Sequence, residues 1–275
     1  MDATPDLSKQ FAGKIAVVTG GTQGLGETCA RLFAARGAAG IVVCGRNAEK
    51  GEAVARSISE AGTQTRFVRA DLTRVEDAQA VVPAADQAFG RVDVLVNAAG
   101  LTDRGTIWDT SPELYDRLFA VNVRAPFFLM QDAVKVMKRE GAKGAIVNII
   151  SMSSHGGQPF ITAYSASKGA LLTLTRNVGF QLMRHGIRCN GLNIGWTDTP
   201  GEDRIQKTYH GADEGWLDSA ERDLPFGRLI KPEEVARAVA FLTSEESGLM
   251  TGSIVDFDQS VLGSYDNPPM PAPLG

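Results

Sequence analysis

Two side chains in this sequence have the types and the spacing for acid–base chemistry. Tyr164 and Lys168 stand four residues apart in the run Ala163-Tyr-Ser-Ala-Ser-Lys168. On a helix that spacing puts both on one face, one turn apart. A free phenol has a pKa of about 10 and transfers protons poorly near neutrality. An ammonium held beside it favours the phenolate and moves it toward useful acid–base work. Taken alone, the pair reads more readily as an ordinary helix start with an aromatic and a surface lysine. Its weight depends on the elements that position it.

The chain has 275 residues, 43% of them hydrophobic and 22% charged. That is the profile of a globular protein with a large core. The net charge of −4 and the lack of a basic cluster argue against a nucleic-acid partner. Cys29, Cys44 and Cys189 are odd in number and share no metal-ligand spacing. They read as reduced thiols of a cytoplasmic protein without a metal site. The polar N-terminus lacks an apolar signal-peptide core, and no run approaches the ~18 apolar residues of a membrane span. No membrane partner is expected.

Seven short apolar runs read as strands, at 14–20, 40–45, 65–70, 92–97, 145–150, 187–193 and 253–257. Helical patterns separate them. One runs from a glycine-rich turn to Gly37, and others span 47–61 and 74–89, with Pro83 awkwardly interior. Residues 112–139 read as one long helix, capped by Ser111 with Pro112 first, and open to a kink or interruption at Pro126. Residues 163–185 and 232–246 read as helices, and 196–230 as irregular. The alternation predicts an α/β fold: a Rossmann-type doubly wound seven-stranded parallel sheet with helices on both faces. No linker or repeat divides it, so residues 1–275 form one domain, with a core of about 12–262 and a Pro-rich tail at 264–275. Ligands then belong at the carboxyl ends of the strands.

Thr19-Gly-Gly-Thr-Gln-Gly-Leu-Gly26 joins the first strand to the first helix. Glycines there let the backbone approach a pyrophosphate, and the helix start offers free N–H groups. The spacing Thr-Gly-x-x-x-Gly-x-Gly resembles that of the short-chain dehydrogenase/reductase family. Asn97-Ala-Ala-Gly100 resembles the family's Asn-Asn-Ala-Gly element, with Ala98 in place of the second Asn. The resemblance runs from about residue 12 to 262. It implies a nicotinamide dinucleotide lying against Gly20, Gln23, Gly24, Leu25 and Gly26. It further implies contacts from Asp71 and Leu72 near the adenine, and from Asn97 and Gly100 at the cofactor floor.

The same resemblance supplies partners for Tyr164 and Lys168. Ser151 precedes Tyr164 by thirteen residues, as in the family's Ser-x12-Tyr-x3-Lys pattern, and Asn122 in Val121-Asn-Val123 resembles its fourth member. The implied roles are a proton donor and acceptor in Tyr164 and a hydrogen bond from Ser151 to the substrate oxygen. Lys168 would lower the phenol pKa and hold the nicotinamide ribose, and Asn122 would anchor a water through its backbone. Asn193-Ile-Gly-Trp-Thr-Asp-Thr199 resembles the family's Pro-Gly-x-Val-x-Thr loop, so Thr197 and Thr199 are expected at the cofactor.

Which dinucleotide is a separate question. NAD-preferring sites usually carry an acidic residue after the second strand. Here that stretch reads Cys44-Gly-Arg-Asn47, without a carboxylate. Arg46 can pair with a 2′-phosphate, which favours NADP(H), with NAD(H) the alternative.

The substrate is expected between His155, Gln158, Trp196 and the segment 200–222, beside Ser151 and Tyr164. His155 and Gln158 could bond hydroxyls. No long apolar run in the lid marks an acyl groove. The expected reaction is alcohol–ketone interconversion on a polyol or sugar-type alcohol. One alternative is a 3-oxoacyl-thioester reductase acting on acyl-carrier protein. A basic docking patch would then be needed, with Arg124, Lys135, Lys138 and Arg139 its candidates. An alternative of another class is a dinucleotide-binding regulator without turnover. The family often assembles through its two long helices, so a homotetramer or homodimer is expected.

Overall fold

The structure is a computed structural model that describes residues 6–262; the Pro-rich tail at 264–275 lies outside them. All seven expected strands form. They are β1 (Ile15–Thr19), β2 (Gly40–Gly45), β3 (Gln64–Arg69), β4 (Val94–Asn97), β5 (Ala145–Ile149), β6 (Arg188–Ile194) and β7 (Ile254–Phe257). They pair in parallel in the order β3-β2-β1-β4-β5-β6-β7. The order reverses between β1 and β4, where Thr19 lies in register with Asn97. That switch point opens a crevice at the strands' carboxyl ends.

Alternate residues of each strand feed opposite cores, because side chains alternate across a sheet. Val18, Ile41 and Val43 face α1 (Gly24–Ala35), α2 (Ala48–Glu60) and α9 (Pro232–Thr243). Val17, Val42 and Leu95 face α3 (Val75–Phe89), α5 (Ala125–Arg139) and α6 (Thr162–Leu182). Both sheet faces are therefore covered, which is why the strands read as continuous apolar runs. Pro83 sits inside α3 without ending it.

Two expectations need correction. Residues 112–139 are not one helix: α4 (Pro112–Phe119) and α5 are separated by a π turn at Ala120–Arg124. Pro126 lies in the first turn of α5, where its missing N–H costs least. Residues 196–230 are not irregular throughout. They contain α7 (Pro200–Tyr209), which Thr199 caps by accepting from the Glu202 N–H at 3.1 Å, and α8 (Trp216–Arg222). The aromatics scattered among charges concealed helices whose apolar contacts are few; Ile205 is the one buried residue of α7.

No described helix is long and apolar enough to cross a membrane.

Candidate active site

The glycine turn sits at the switch point and depends on missing side chains. Gly20 adopts φ 68°, and a Cβ there would lie 2.9 Å from Ala99 Cα. A Cβ on Gly26 would lie 2.4 Å from the Gly20 carbonyl oxygen. Gly24 adopts φ 55°, and a Cβ there would lie 3.6 Å from Thr199 Cβ and 3.8 Å from Pro200 Cδ. Leu25 is buried beneath the turn. Gln23 caps α1 without giving its amides a side-chain acceptor; instead its Oε1 accepts from Lys50 Nζ at 3.4 Å. Bare backbone, uncapped amides and a helix's positive end suit a pyrophosphate. A dinucleotide therefore fits this crevice.

The far wall comes from β3 and β4. The Asp71 carboxylate accepts from the Thr73 N–H at 3.0 Å and its hydroxyl at 2.8 Å. Burial alone would raise its pKa, but those bonds and the charges of Arg46 and Arg74 hold it below the usual value. Leu72 is buried beside it, while Arg46 is exposed at the rim. Thr19, not singled out from sequence, accepts from the Ala99 N–H at 3.0 Å and ties the turn to the loop after β4. Asn97 donates to Asn148 Oδ1 at 2.8 Å, and its own buried Oδ1 has no hydrogen-bond partner.

Tyr164 and Lys168 share one face of α6 at the crevice floor. Loss of water around the half-buried phenol pushes its pKa up to about 12, and a hydrogen bond with Ser151 tempers the rise. Ser151 Oγ accepts from the Ser153 N–H at 3.2 Å and the Ser153 hydroxyl at 2.9 Å. Its own proton is thereby left for the phenol or a ligand. Lys168 is 4% exposed. Burial pushes its pKa down to about 8, and its Nζ donates to the Ile149 carbonyl at 2.9 Å. The expected lowering of the phenol pKa by Lys168 is not found in this arrangement. The ammonium is turned to a carbonyl, and burial outweighs any charge effect at the phenol.

Asn122 sits in the π turn and is fully buried. Its side chain accepts from the Leu101 N–H at 2.9 Å and donates to the Leu101 carbonyl and Ser167 Oγ, both at 3.0 Å. It brackets the loop after β4 against α6. A Cβ on Gly100 would lie 3.6 Å from Lys168 Nζ and 3.8 Å from Asn122 Oδ1. Gly100, Asn122 and Lys168 are thus one cluster.

The residues expected around the substrate divide. His155 Nε2 lies 3.1 Å from Asp256 Oδ1 and 3.0 Å from Asn193 Nδ2, which commits the ring to β6 and β7. Gln158 is exposed. Thr197 is buried and donates to the Gly195 carbonyl at 3.0 Å. Trp196 lies at the mouth, stacked on Trp216 with centroids 6.0 Å apart, and its indole donates to Glu202 Oε1 at 2.8 Å.

Sequence reasoning missed Arg104 and Glu202. The Glu202 carboxylate raises the Tyr164 pKa and the Arg104 charge lowers it. Arg104 follows the Asn-Ala-Ala-Gly element by four residues, where a loop charge carries no signal. Glu202 reads as an ordinary acidic residue in a first helical turn. Only the return of both segments over Tyr164 distinguishes them.

The comparisons with known proteins agree with this geometry. A family model described as enoyl-(acyl carrier protein) reductase matches residues 20–260. An uncharacterized oxidoreductase of Thermotoga maritima is 38% identical over 248 residues, covering 90% of this chain and 97% of the relative. Cis-4-hydroxycyclohexanecarboxylate dehydrogenase of Sinomonas cyclohexanicum is 35% identical, covering 92% and 98%. Gluconate 5-dehydrogenase of Gluconobacter oxydans is 33% identical, covering 94% and 97%. A solved short chain dehydrogenase/reductase family protein superposes with TM-score 0.78 at 36% identity, covering 91% of this chain and 97% of that one. A fold, a glycine turn and near full-length matches of this kind make the chain a member of the short-chain dehydrogenase/reductase family, an NAD(P)-dependent oxidoreductase.

Proposed function

We propose that the protein interconverts a secondary alcohol and a ketone on a polyol or sugar-type substrate, with Tyr164 as general acid and base. The observation that carries this reading is the cluster of Ser151, Tyr164 and Lys168 at the switch point, under a mouth lined by charged and hydrogen-bonding groups. A bound nicotinamide dinucleotide supplies the hydride in reduction and accepts it in oxidation. Ser151 Oγ donates to the substrate oxygen and fixes it beside the phenol. In reduction Tyr164 Oη gives its proton to that oxygen; in oxidation it takes the proton back. Lys168 holds positive charge below the reacting centre, over the opening left by Gly100.

NADP(H) is the proposed cofactor. Arg46 stands at the rim with no acidic residue beside it after β2, and Lys50 Nζ approaches Gln23 in the turn. A 2′-phosphate would meet two cations there. The polyol reading draws support from the relative named gluconate 5-dehydrogenase. The acyl-carrier alternative draws less. Arg124 donates to the Thr73 carbonyl, Lys135 pairs with Asp132 and Arg139 with Asp86, so three of its four docking cations are engaged. For assembly we propose a homotetramer or homodimer through α4, α5 and α6, where Tyr115 and Phe127 are exposed. Light scattering on the purified chain tests it.

The test of the activity is a panel of polyols, simple secondary alcohols and an acetoacetyl thioester, each with NAD(H) and NADP(H). Polyol-dependent reduction of NADP⁺ is the expected result. Turnover of the thioester alone would replace the reading with the acyl alternative. Tight dinucleotide binding without any turnover would replace it with a regulator.

A further inference from the structure

Arg104 and Glu202 reach the mouth of the site from separate elements. Arg104 belongs to the loop after β4. That loop is pinned to the start of α6, because the Gly105 N–H donates to the Phe160 carbonyl at 2.9 Å and the Thr162 N–H to the Gly105 carbonyl at 3.3 Å. The pin lies two residues before Tyr164. The guanidinium is then fixed in place: Nη1 donates to the Thr102 carbonyl at 3.0 Å and Nε to His210 Nε2 at 3.2 Å. The Phe160 ring lies under it, 5.4 Å away. Its Nη2 makes no hydrogen bond to a described residue. Glu202 comes from the first turn of α7. Its Oε1 accepts from Trp196 at 2.8 Å and from Gln206 at 2.7 Å.

The two charges do not close on each other. Arg104 Nη2 and Glu202 Oε1 stand 3.9 Å apart, with side chains only 15% and 17% exposed. A pair serving only to latch the lid would be expected at hydrogen-bond distance, below about 3.2 Å. Arg104 Nη2 and the second oxygen of Glu202 make no hydrogen bond to a described residue, so one donor and one acceptor stand unspent at the mouth. An oxygen atom bonded to Nη2 at about 2.8 Å comes within reach of the carboxylate, accepting from the cation and donating to the anion. A hydroxyl does both at once; a carboxylate cannot donate, and a methyl can do neither. We propose that Arg104 and Glu202 together read a hydroxyl on the carbon next to the reacting carbinol, and so select vicinal diols. Both charges also reach the Tyr164 phenol, the Glu202 carboxylate raising its pKa and the Arg104 guanidinium lowering it.

The inference rests on the polyol reading and narrows it. The test uses butane-2,3-diol, butan-2-ol and 3-hydroxybutyrate with the intact protein and NADP⁺. The wild type is expected to show a kcat/KM for the diol on the order of tenfold to hundredfold above that for butan-2-ol, as for sites built to bond a substrate hydroxyl. In Arg104→Gln and in Glu202→Gln that ratio should fall toward one. Glu214→Gln, which removes an exposed partner of Lys207 further along the lid, should leave the ratio unchanged. Glu202→Gln should also raise kcat/KM for 3-hydroxybutyrate relative to the diol, by removing repulsion of its carboxylate. A misfolded variant cannot produce that gain. A wild type that prefers the diol, with the preference intact in both variants, overturns the pair and leaves the polyol reading standing. A wild type that turns over butan-2-ol as well as the diol overturns both.

Discussion

Lys168 Nζ stands 5.7 Å from the centre of the Tyr164 ring, yet its hydrogen bond goes to the Ile149 carbonyl, 2.9 Å away. One turn of helix places the two side chains together, and the end of β5 takes the ammonium. The phenol is left to burial, to Ser151 and to the charges of Glu202 and Arg104, which together set its pKa at about 12. In the free protein the phenol is therefore held neutral, the form that can donate a proton, whereas accepting one requires the phenolate.

Tyr164→Phe keeps the ring and removes the proton. Turnover should fall by at least ~10²-fold, while NADPH binding, followed by its fluorescence, should be retained. Near-normal turnover would falsify the assignment of Tyr164 as the acid–base group.

The buried lysine should mark the pH dependence of stability. The Lys168 pKa is depressed from 10.5 to about 8 on folding. Below pH 8 both states hold the proton and the penalty is constant. Between about pH 8 and 10.5 the unfolded chain holds a proton that the folded one has released, so stability rises with pH. Above pH 9 the buried thiols of Cys29, Cys44 and Cys189 act oppositely, and above pH 10 the phenol joins them, because each ionises in the unfolded chain before it does in the folded one. Denaturant titrations of the free protein between pH 7 and 9, below the range in which the thiols oppose it, should show the rise, and Lys168→Met should lack it. An equal rise in both proteins would assign the effect elsewhere.

Arg46→Ala should raise KM for NADP⁺ by about tenfold to hundredfold, the value of a charge-assisted bond to phosphate. KM for NAD⁺ should move little. Kinetics with both dinucleotides check it, and equal changes for the two would remove Arg46 from the phosphate.

Gly26→Ala puts a Cβ 2.4 Å from a backbone oxygen that cannot swing aside. The cost should be about 1–3 kcal/mol of stability, together with loss of dinucleotide binding. Chemical denaturation and NADPH fluorescence measure the two separately. A variant as stable as the parent that still binds NADPH would mean the turn adapts.

Asn122→Ala removes three hydrogen bonds at a fully buried site and leaves Leu101 unpaired. A loss of about 1–3 kcal/mol is expected. A change within ~0.5 kcal/mol, the range of neutral surface substitutions, would mean that water replaces the bracket.

Much of this protein is written locally. Strand runs such as Ile15–Thr19 are apolar because the parallel sheet is covered on both faces. The glycine turn reads out because the close approaches at Gly20 and Gly26 exclude any side chain. Tyr164 and Lys168 read out because a helical turn fixes their relation. The helices in 196–230 did not read out, since α7 buries little and is held by a threonine cap and its packing on Trp196 and Trp216. Nor did the pairing of Arg104 with Glu202, which lie 98 residues apart in sequence. Their nearness is made by the loop pinned at Gly105 and by the end of α7, where His210 meets both Phe160 and Arg104. The sheet, the turn and the Tyr164–Lys168 spacing were legible in the amino-acid order, because each rests on contacts a few residues apart or on burial of a whole run. The direction of the Lys168 ammonium and the charges that reach the phenol were not, because they depend on chain segments that meet only once the sheet is assembled.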